Sequence, residues 1–200
     1  MNYNKLTINQ NGFLFVDNEC VNNIFEKIHG SNNFFEWLVS SICSENNGEL
    51  QYISELIEKK ISCNFPLLIC GDDLDFSCTI VVVKVEYSEN TVIWKKFGTV
   101  KKDLNYWENY RNSGIREVEN WSDDDWEKYG SIAYDLLCDE NFFDEWCSEN
   151  WGEEVYRRAW GYYHKHFNND DNIDWISKIN FEFKLNNYRS CFEEYISLLS

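Results

Sequence analysis

Residues that interrupt regular structure are scarce in this 200-residue chain, which has one proline and nine glycines. A single proline argues against long rigid linkers, and the length suits one domain with a sizeable core. Long apolar runs are also missing: residues 80–83 form one of the longest, far short of the roughly 18 residues that a membrane span requires. Residues 1–5 lack the basic start and apolar stretch of a signal peptide. We therefore expect one cytoplasmic domain over residues 1–200 that does not bind membranes.

Catalytic and cofactor-binding motifs are missing as well. The chain contains neither G-x-G-x-x-G nor G-x-x-x-x-G-K-[ST], which bind phosphates, and no G-x-S-x-G of serine hydrolases. Its cysteines form no C-x-x-C pair, so we expect free, buried thiols rather than disulfides or a metal site. The sequence thus predicts a protein that is not an enzyme and has no cofactor. The eight cysteines lie at positions 20, 43, 63, 70, 78, 138, 147 and 191.

Two stretches contain side chains of the kinds that bind metal ions. His164 and His166 would need the distant Cys138 and Cys147 as further ligands, and this spacing is not that of zinc-binding pairs. Residues 169–174 are rich in Asn and Asp but lack the glycine and the final glutamate of a calcium loop. Neither stretch predicts a metal.

Positive charge is in short supply. The chain has 18 Lys and Arg against 35 Asp and Glu, which gives a net charge of −17. Coulomb repulsion then disfavours direct binding to nucleic acid or to an anionic membrane. A cationic protein partner is favoured instead.

Asp and Glu residues are concentrated within residues 117–154, here called the acid-rich segment. Fourteen acids and a single base, Lys128, give this segment −13 of the net −17, so the other 162 residues carry −4. Trp and Phe recur among the acids at helical spacing, which predicts a folded surface rather than a solvated tail. The acids are Glu117, Glu119, Asp123, Asp124, Asp125, Glu127, Asp135, Asp139, Glu140, Asp144, Glu145, Glu149, Glu153 and Glu154.

Two interpretations of the acid-rich segment remain open. Runs of charge are usually solvated helical faces that keep a protein soluble. Solubility, however, does not require concentrated charges whose repulsion destabilises the fold, whereas a one-sided field would accelerate association with a basic partner. The residues predicted to bind such a partner are eight acids and three tryptophans: Asp123, Asp124, Asp125, Glu127, Asp139, Glu140, Asp144, Glu145, Trp121, Trp146 and Trp151.

The first hundred residues predict helices followed by a sheet. Asn11-Gly12 indicates a hairpin with a type I′ turn, and a first helix should run from a cap at Asn18 to a stop at Gly30. A second helix should be capped by Ser31 and end at Asn46-Asn47-Gly48, with its buried face formed by Phe34, Phe35, Leu38 and Ile42. A third helix should follow, with an inward face formed by Ile53, Leu56, Ile57 and Ile61. Three strands are then expected: one at 67–70 after Pro66, a central strand at 76–87, and one at 91–101 with a bulge near Lys95 and Lys96.

From residue 103 the pattern is mainly helical. Ser122 with Asp125 three residues later predicts a helix start with a capping box. Three successive helices should bury the following residues: Trp126, Tyr129, Ala133, Leu136 and Leu137 in the first, Phe142, Phe143 and Trp146 in the second, and Val155, Ala159, Tyr162 and Tyr163 in the third. Glu153 and Glu154 should form ion pairs with Arg157 and Arg158, four residues later. A strand at 179–185 and a helix at 188–199 are expected to end the chain. The predicted fold class is α+β, with helices packed on a small antiparallel sheet and a helix-rich C-terminal half.

The acid-rich segment and the run Glu145-Trp146-Cys147-Ser148-Glu149-Asn150-Trp151-Gly152 resemble, in character, the immunity proteins of bacterial contact-dependent inhibition and other polymorphic toxin systems. The resemblance implies an antitoxin that binds and neutralises a cognate toxin domain, such as a basic nuclease. A nuclease groove that holds Lys and Arg for a polyanion would accept carboxylates. The alternatives are a DNA-mimic inhibitor of a nucleic-acid-binding protein and a small hydrolase whose site no motif reveals.

Overall fold

The computed structural model describes residues 3–30 and 33–199 and confirms the α+β class. It contains two antiparallel sheets, whose strands neighbour one another in chain order. The first comprises β1 (Leu6–Ile8), β2 (Leu14–Val16) and β3 (Glu19–Cys20); the second comprises β4 (Leu38–Ser40), β5 (Cys63–Cys70), β6 (Ile80–Tyr87), β7 (Thr91–Val100) and β8 (Ile173–Lys184). No helix within the described ranges is long and apolar enough to cross a membrane.

The small sheet contains the predicted hairpin, but its type I′ turn lies elsewhere. Between β1 and β2, residues 9–13 form a longer loop in which Gly12 has a positive φ of 79° and Asn11 does not. The two-residue turn joins β2 to β3, where Asp17 and Asn18 have φ values of 51° and 69°. Asp and Asn tolerate this left-handed backbone better than most residues.

Two of the predicted N-terminal helices are present with shifted starts. Helix α1 (Val21–His29) ends at Gly30, whose φ of 74° confirms the predicted stop, but Asn18 lies in the preceding turn and does not cap it. Helix α2 (Asn47–Glu58) buries Ile53, Leu56 and Ile57 as expected, but it ends before Ile61, which is half-buried. Residues 46–48, predicted as a break, instead begin this helix.

The helix predicted over residues 31–42 is wrong. Ser31 lies outside the described residues, and the following stretch forms β4 and a short 3-10 turn, Ser41–Cys43. β4 pairs with the end of β5, and the Asn22 amide donates hydrogen bonds to the carbonyls of Phe35 (2.5 Å) and Leu38 (2.8 Å). Backbone groups that would bond to each other within a helix therefore form hydrogen bonds with β5 and with the Asn22 side chain instead.

The large sheet is centred on β6, as predicted, and its Val81–Val83 stretch is fully buried. β5 is longer than predicted because it includes Pro66, where the pairing with β6 shifts register. The Pro66 carbonyl accepts a hydrogen bond from Ser41 Oγ at 2.5 Å. The pairing of β7 also shifts register around Lys95 and Lys96, which confirms the predicted bulge.

Helices cover both faces of the large sheet. Adjacent residues of a strand point to opposite faces. Phe65 packs against Phe192 of α9 (Leu185–Leu199), whereas its neighbour Asn64 donates to the carbonyl of Phe167 in α8 (Lys165–Phe167) at 2.8 Å. On β7, Phe97 stacks on Phe25 of α1 with ring centroids 4.0 Å apart.

A second, smaller apolar cluster lies among the helices between β7 and β8. They are α3 (Tyr106–Asn112), α4 (Asp123–Tyr129), α5 (Ala133–Cys138), α6 (Glu140–Glu149) and α7 (Trp151–Arg158), and α7 continues through a π-helical turn, Ala159–His164, into α8. The buried members of the second cluster are Ile115, Trp121, Tyr129, Leu136, Phe143, Trp146 and Cys147.

The stripe predicted across α4 and α5 is only partly correct. A 3-10 turn, Gly130–Ile132, separates the two helices and changes the direction in which their side chains point. Tyr129 and Leu136 are buried as expected, but Trp126 and Leu137 are exposed. Of the stripes predicted for the next helices, Phe142 is only half-buried, whereas the other members are buried: Phe143, Trp146, Val155, Ala159, Tyr162 and Tyr163.

Candidate functional site

The acid-rich segment is folded onto the second cluster, and some of its acids fix helix starts. The predicted capping box is present: Ser122 Oγ accepts the Asp125 amide N–H at 3.2 Å, and Asp125 Oδ2 accepts the Ser122 amide N–H at 2.9 Å. Asp139 Oδ1 accepts the amide N–H groups of Asn141 (3.0 Å) and Phe142 (3.1 Å) at the start of α6. Carboxylates at these positions also meet the positive ends of the helix dipoles.

Six of the fourteen acids form ion pairs, and five of the six bases that bind them lie outside the acid-rich segment. Residues 111–165 therefore hold fourteen acids and six bases, a net charge of −8, and the rest of the chain carries −9. The charge is more evenly distributed than the segment alone suggests. The paired acids are Glu117, Asp125, Glu140, Asp144, Glu153 and Glu154, and the bases are Arg111, Arg116, Lys128, Arg157, Arg158 and Lys165.

Two arginines bind the acidic side of α6. Arg111 Nη2 lies 2.7 Å from both Glu140 and Asp144, and Arg116 Nη2 lies 2.8 Å from Glu140. Arg116 also sits 3.7 Å from the centre of the Phe143 ring. The hydrogen bond from Arg111, followed by that from Arg116, lowers the pKa of Glu140. Glu140 and Asp144 therefore contribute to internal structure.

Arg157 connects α7 to α4. It contacts Asp125, and this hydrogen bond is the main cause that lowers the pKa of Asp125 to about 2. Arg157 also pairs with Glu153 at 2.8 Å, as predicted from the i, i+4 spacing. Glu153 in turn accepts the hydroxyl of Tyr129 at 2.6 Å.

The remaining eight acids of the segment are exposed, and none of them forms an ion pair with a residue of the described ranges 3–30 and 33–199. Here called the unpaired acids, they include five residues of the predicted partner-binding set. On α4, Asp123 and Glu127 are four residues apart and share a face; on α6, Glu145 and Glu149 do the same. The unpaired acids are Glu119, Asp123, Asp124, Glu127, Asp135, Asp139, Glu145 and Glu149.

The three predicted tryptophan anchors differ in exposure. Trp121 and Trp146 are only 8% and 7% exposed and belong to the second cluster, where Trp121 Nε1 donates to the Ile115 carbonyl at 2.9 Å. Trp151 is 45% exposed. Trp126, assigned to the core by its spacing, is 50% exposed and packs edge-on against Trp121 at 4.9 Å between ring centroids. Tyr134 and Leu137 of α5 are also exposed.

Three side chains that the sequence offers as candidate metal ligands, His164, His166 and Asp170, have protein partners. His164 Nδ1 lies 3.1 Å from the Tyr52 hydroxyl, and burial lowers the pKa of His164. His166 stacks on Tyr162 with ring centroids 5.4 Å apart. Asp170, in the Asn- and Asp-rich loop, binds Lys96 at 3.0 Å.

A groove of about 880 Å³ lies beside the large sheet, and aromatic rings line much of it. Asp103 at its wall accepts hydrogen bonds from the side chain of Asn109 (2.8 Å), the amide of Asn105 (2.8 Å) and the hydroxyl of Tyr162 (2.9 Å). The bond from Asn109 contributes most to lowering the pKa of Asp103. A carboxylate held ionised in this way suits a structural role better than general acid catalysis.

Comparison with known proteins adds no relative: no protein family, curated protein or solved structure matches this chain. The resemblance to immunity proteins stays a prediction, and its physical basis is the set of unpaired acids.

Proposed function

We propose that the protein is an immunity protein, or antitoxin, that binds and neutralises a basic toxin domain through the unpaired acids. The observation that carries this proposal is the exposure of eight carboxylates in a region whose six bases are all paired already. Such carboxylates can meet the Lys and Arg residues of a partner without first breaking an internal ion pair.

The spacing of the unpaired acids supports binding over simple solubility. Like charges four residues apart on a helix, as at Asp123 and Glu127 or Glu145 and Glu149, destabilise it by about 0.2–0.5 kcal/mol per pair. Solubility would be served equally well by separated charges. A basic partner would remove this repulsion on binding.

Exposed apolar side chains can supply the buried contacts that charged groups alone do not provide. Charged surfaces raise association rates, whereas slow dissociation depends on buried aromatic contacts. Trp126 is half exposed yet held by its ring contact with Trp121, and Tyr134 and Leu137 are exposed one helix further on. These residues, together with Trp151, would provide the anchors of the interface.

A charge-matched pair of variants tests the proposal. The partner is first identified by co-purification and mass spectrometry, and its toxicity is assayed with and without this protein. The binding-face variant is Asp123→Asn, Asp124→Asn, Glu127→Gln and Glu145→Gln. The control is Glu36→Gln, Glu58→Gln, Glu89→Gln and Glu194→Gln, four exposed acids elsewhere that pair with no base among the residues the structure describes. We expect the first variant alone to lose about tenfold or more in association rate, most of its salt dependence, and its protection against the toxin.

Equal effects of the two variants would show that net charge matters rather than this surface. No effect of either would rule out the electrostatic mechanism. Capture of a DNA-binding protein that is not toxic would favour the DNA-mimic alternative instead.

A further inference from the structure

The loop between β5 and β6 brings together three side chains that can bind a metal ion. Cys70 is the last residue of β5, and Asp73 and Cys78 follow in the loop. The two thiol sulfurs and a carboxylate oxygen of Asp73 all lie within 4.8 Å of one another. Within the described part of the chain, no other group of three or more His, Cys, Asp or Glu side chains converges in this way.

The loop is held in shape by its own hydrogen bonds. The Leu74 amide donates to the Cys70 carbonyl at 3.0 Å, and the Gly71 amide donates to the Trp37 carbonyl at 2.9 Å. The Leu74 carbonyl in turn accepts the amide N–H of Glu45 at 2.9 Å. These bonds tie the first half of the loop to two neighbouring segments, so Cys70 and Asp73 are positioned before any ion binds.

The separation of the three donor atoms suits a tetrahedral ion after small rotations. Zinc binds thiolate sulfur at about 2.3 Å and carboxylate oxygen at about 2.0–2.2 Å, which places tetrahedral ligand atoms about 3.5–3.8 Å apart. Since the present separations are at most 4.8 Å, the contraction needed is no more than about 1.3 Å, which rotation of the side chains about χ1 can provide. Cys70 is half-buried, whereas Asp73 and Cys78 are exposed, which leaves access for the ion and a fourth position for water.

We propose that Cys70, Asp73 and Cys78 form a binding site for a thiophilic divalent cation, with Zn²⁺ as the best fit. Two thiolates favour zinc over magnesium or calcium, which prefer oxygen ligands. The bound ion would join the end of β5 to the residues just before β6. Cys78 also lines the aromatic groove, so the ion would lie at the rim of that groove.

Cobalt and zinc titrations of the full chain, under reducing and oxygen-free conditions, test this site. We expect one equivalent of Co²⁺ to produce thiolate-to-cobalt charge-transfer absorption that Zn²⁺ then abolishes by displacement. Cys70→Ser and Cys78→Ser should remove the absorption, and Asp73→Asn should weaken binding by about tenfold or more. Cys138→Ser, which changes an exposed thiol of α5 outside the cluster, should bind like the wild type.

Thermal unfolding gives a second measurement. Zn²⁺ should raise the unfolding midpoint of the wild type and of Cys138→Ser but not that of Cys78→Ser, because only a folded site binds the ion. Circular dichroism of each variant without metal confirms that it is folded. The proposal is overturned if Co²⁺ binds without saturation, if Cys78→Ser keeps the absorption, or if Cys138→Ser loses it.

Discussion

Glu154 and Arg158 form a buried ion pair inside α7, with 2.7 Å between Oε1 of the acid and Nε of the base. Both side chains are almost fully shielded from water. Glu154 Oε2 also accepts the amide N–H of Ile115 at 3.0 Å, and the guanidinium of Arg158 lies 4.6 Å from the centre of the Tyr110 ring. The pair therefore links α7 to α3 and to the second cluster beneath the acid-rich segment.

Removing the base of this pair is expected to be strongly destabilising. Arg158→Met leaves the Glu154 carboxylate buried without its partner, which should lower the free energy of unfolding by about 3–5 kcal/mol. Lys59→Met is the control because it removes the exposed i, i+4 pair with Glu55, where we expect a loss of less than about 0.5 kcal/mol. Urea unfolding at neutral pH measures both values, and similar losses would contradict the special role of burial.

Local contacts of the candidate surface were predictable from the sequence, whereas distant ones were not. The Ser122 capping box and the Glu153–Arg157 pair involve residues three or four apart, so helical spacing alone places them together. Arg116 and Glu140 are 24 residues apart, and their pairing depends on how α6 packs. The net charge of the acid-rich segment was therefore readable, but not which acids remain unpaired.

The wrong helix over residues 31–42 and the unpredicted cluster of Cys70, Asp73 and Cys78 have the same origin. Residues 38–40 form a strand because β5 offers them an edge, although their local apolar spacing also fits a helix. Cys70 and Cys78 are separated by seven residues, which resembles no metal-binding spacing until the β5–β6 loop brings them together. The strand at residues 38–40 and the convergence of the two cysteines both depend on tertiary structure, which the periodicity of one segment does not reveal.

A buried carboxyl should make stability depend on pH near neutrality. Glu49 is 2% exposed, and burial raises its pKa from 4.5 to about 7, although hydrogen bonds from Ser44 and Phe76 oppose the shift. The folded protein therefore binds this proton more tightly than the unfolded chain. The resulting stabilisation is complete below about pH 4.5 and is lost as the pH rises to about 7, a change of about 3 kcal/mol.

The substitution Glu49→Gln isolates this contribution. Since glutamine does not titrate, the variant should gain about 3 kcal/mol relative to the wild type between pH 4.5 and pH 8. Urea unfolding across that range measures the difference. Glu45→Gln changes an exposed acid four residues earlier and should show no such trend. A pH-independent difference between Glu49→Gln and the wild type would contradict the raised pKa.

Two glycines at the contact between helices α2 and α7 should respond differently to alanine. A Cβ at Gly48 would lie 2.3 Å from the backbone nitrogen of Tyr156 and 2.8 Å from the Gly152 carbonyl oxygen. Gly48→Ala must therefore force the helices apart, at about 1–3 kcal/mol, despite the better helix propensity of alanine. A Cβ at Gly152 meets nothing within 4 Å, so Gly152→Ala should be neutral or stabilising by up to about 1 kcal/mol. Thermal or urea unfolding of both variants decides the point, and equal effects would contradict the close approach at Gly48.

Substitutions of two neighbouring tryptophans distinguish a residue that stabilises the fold beneath the candidate surface from a residue that would contact the partner. Trp121 is buried and donates to the Ile115 carbonyl, so Trp121→Ala should cost about 3–5 kcal/mol in unfolding free energy. Trp126 is half exposed, so Trp126→Ala should cost less than about 1 kcal/mol. If Trp126 anchors a partner, its loss should instead raise the dissociation rate of the complex about tenfold or more, with little change in association rate. Paired unfolding and binding-kinetics measurements on Trp126→Ala distinguish these effects. A variant that binds as tightly as the wild type would leave the unpaired acids as the main contacts and remove Trp126 from the interface.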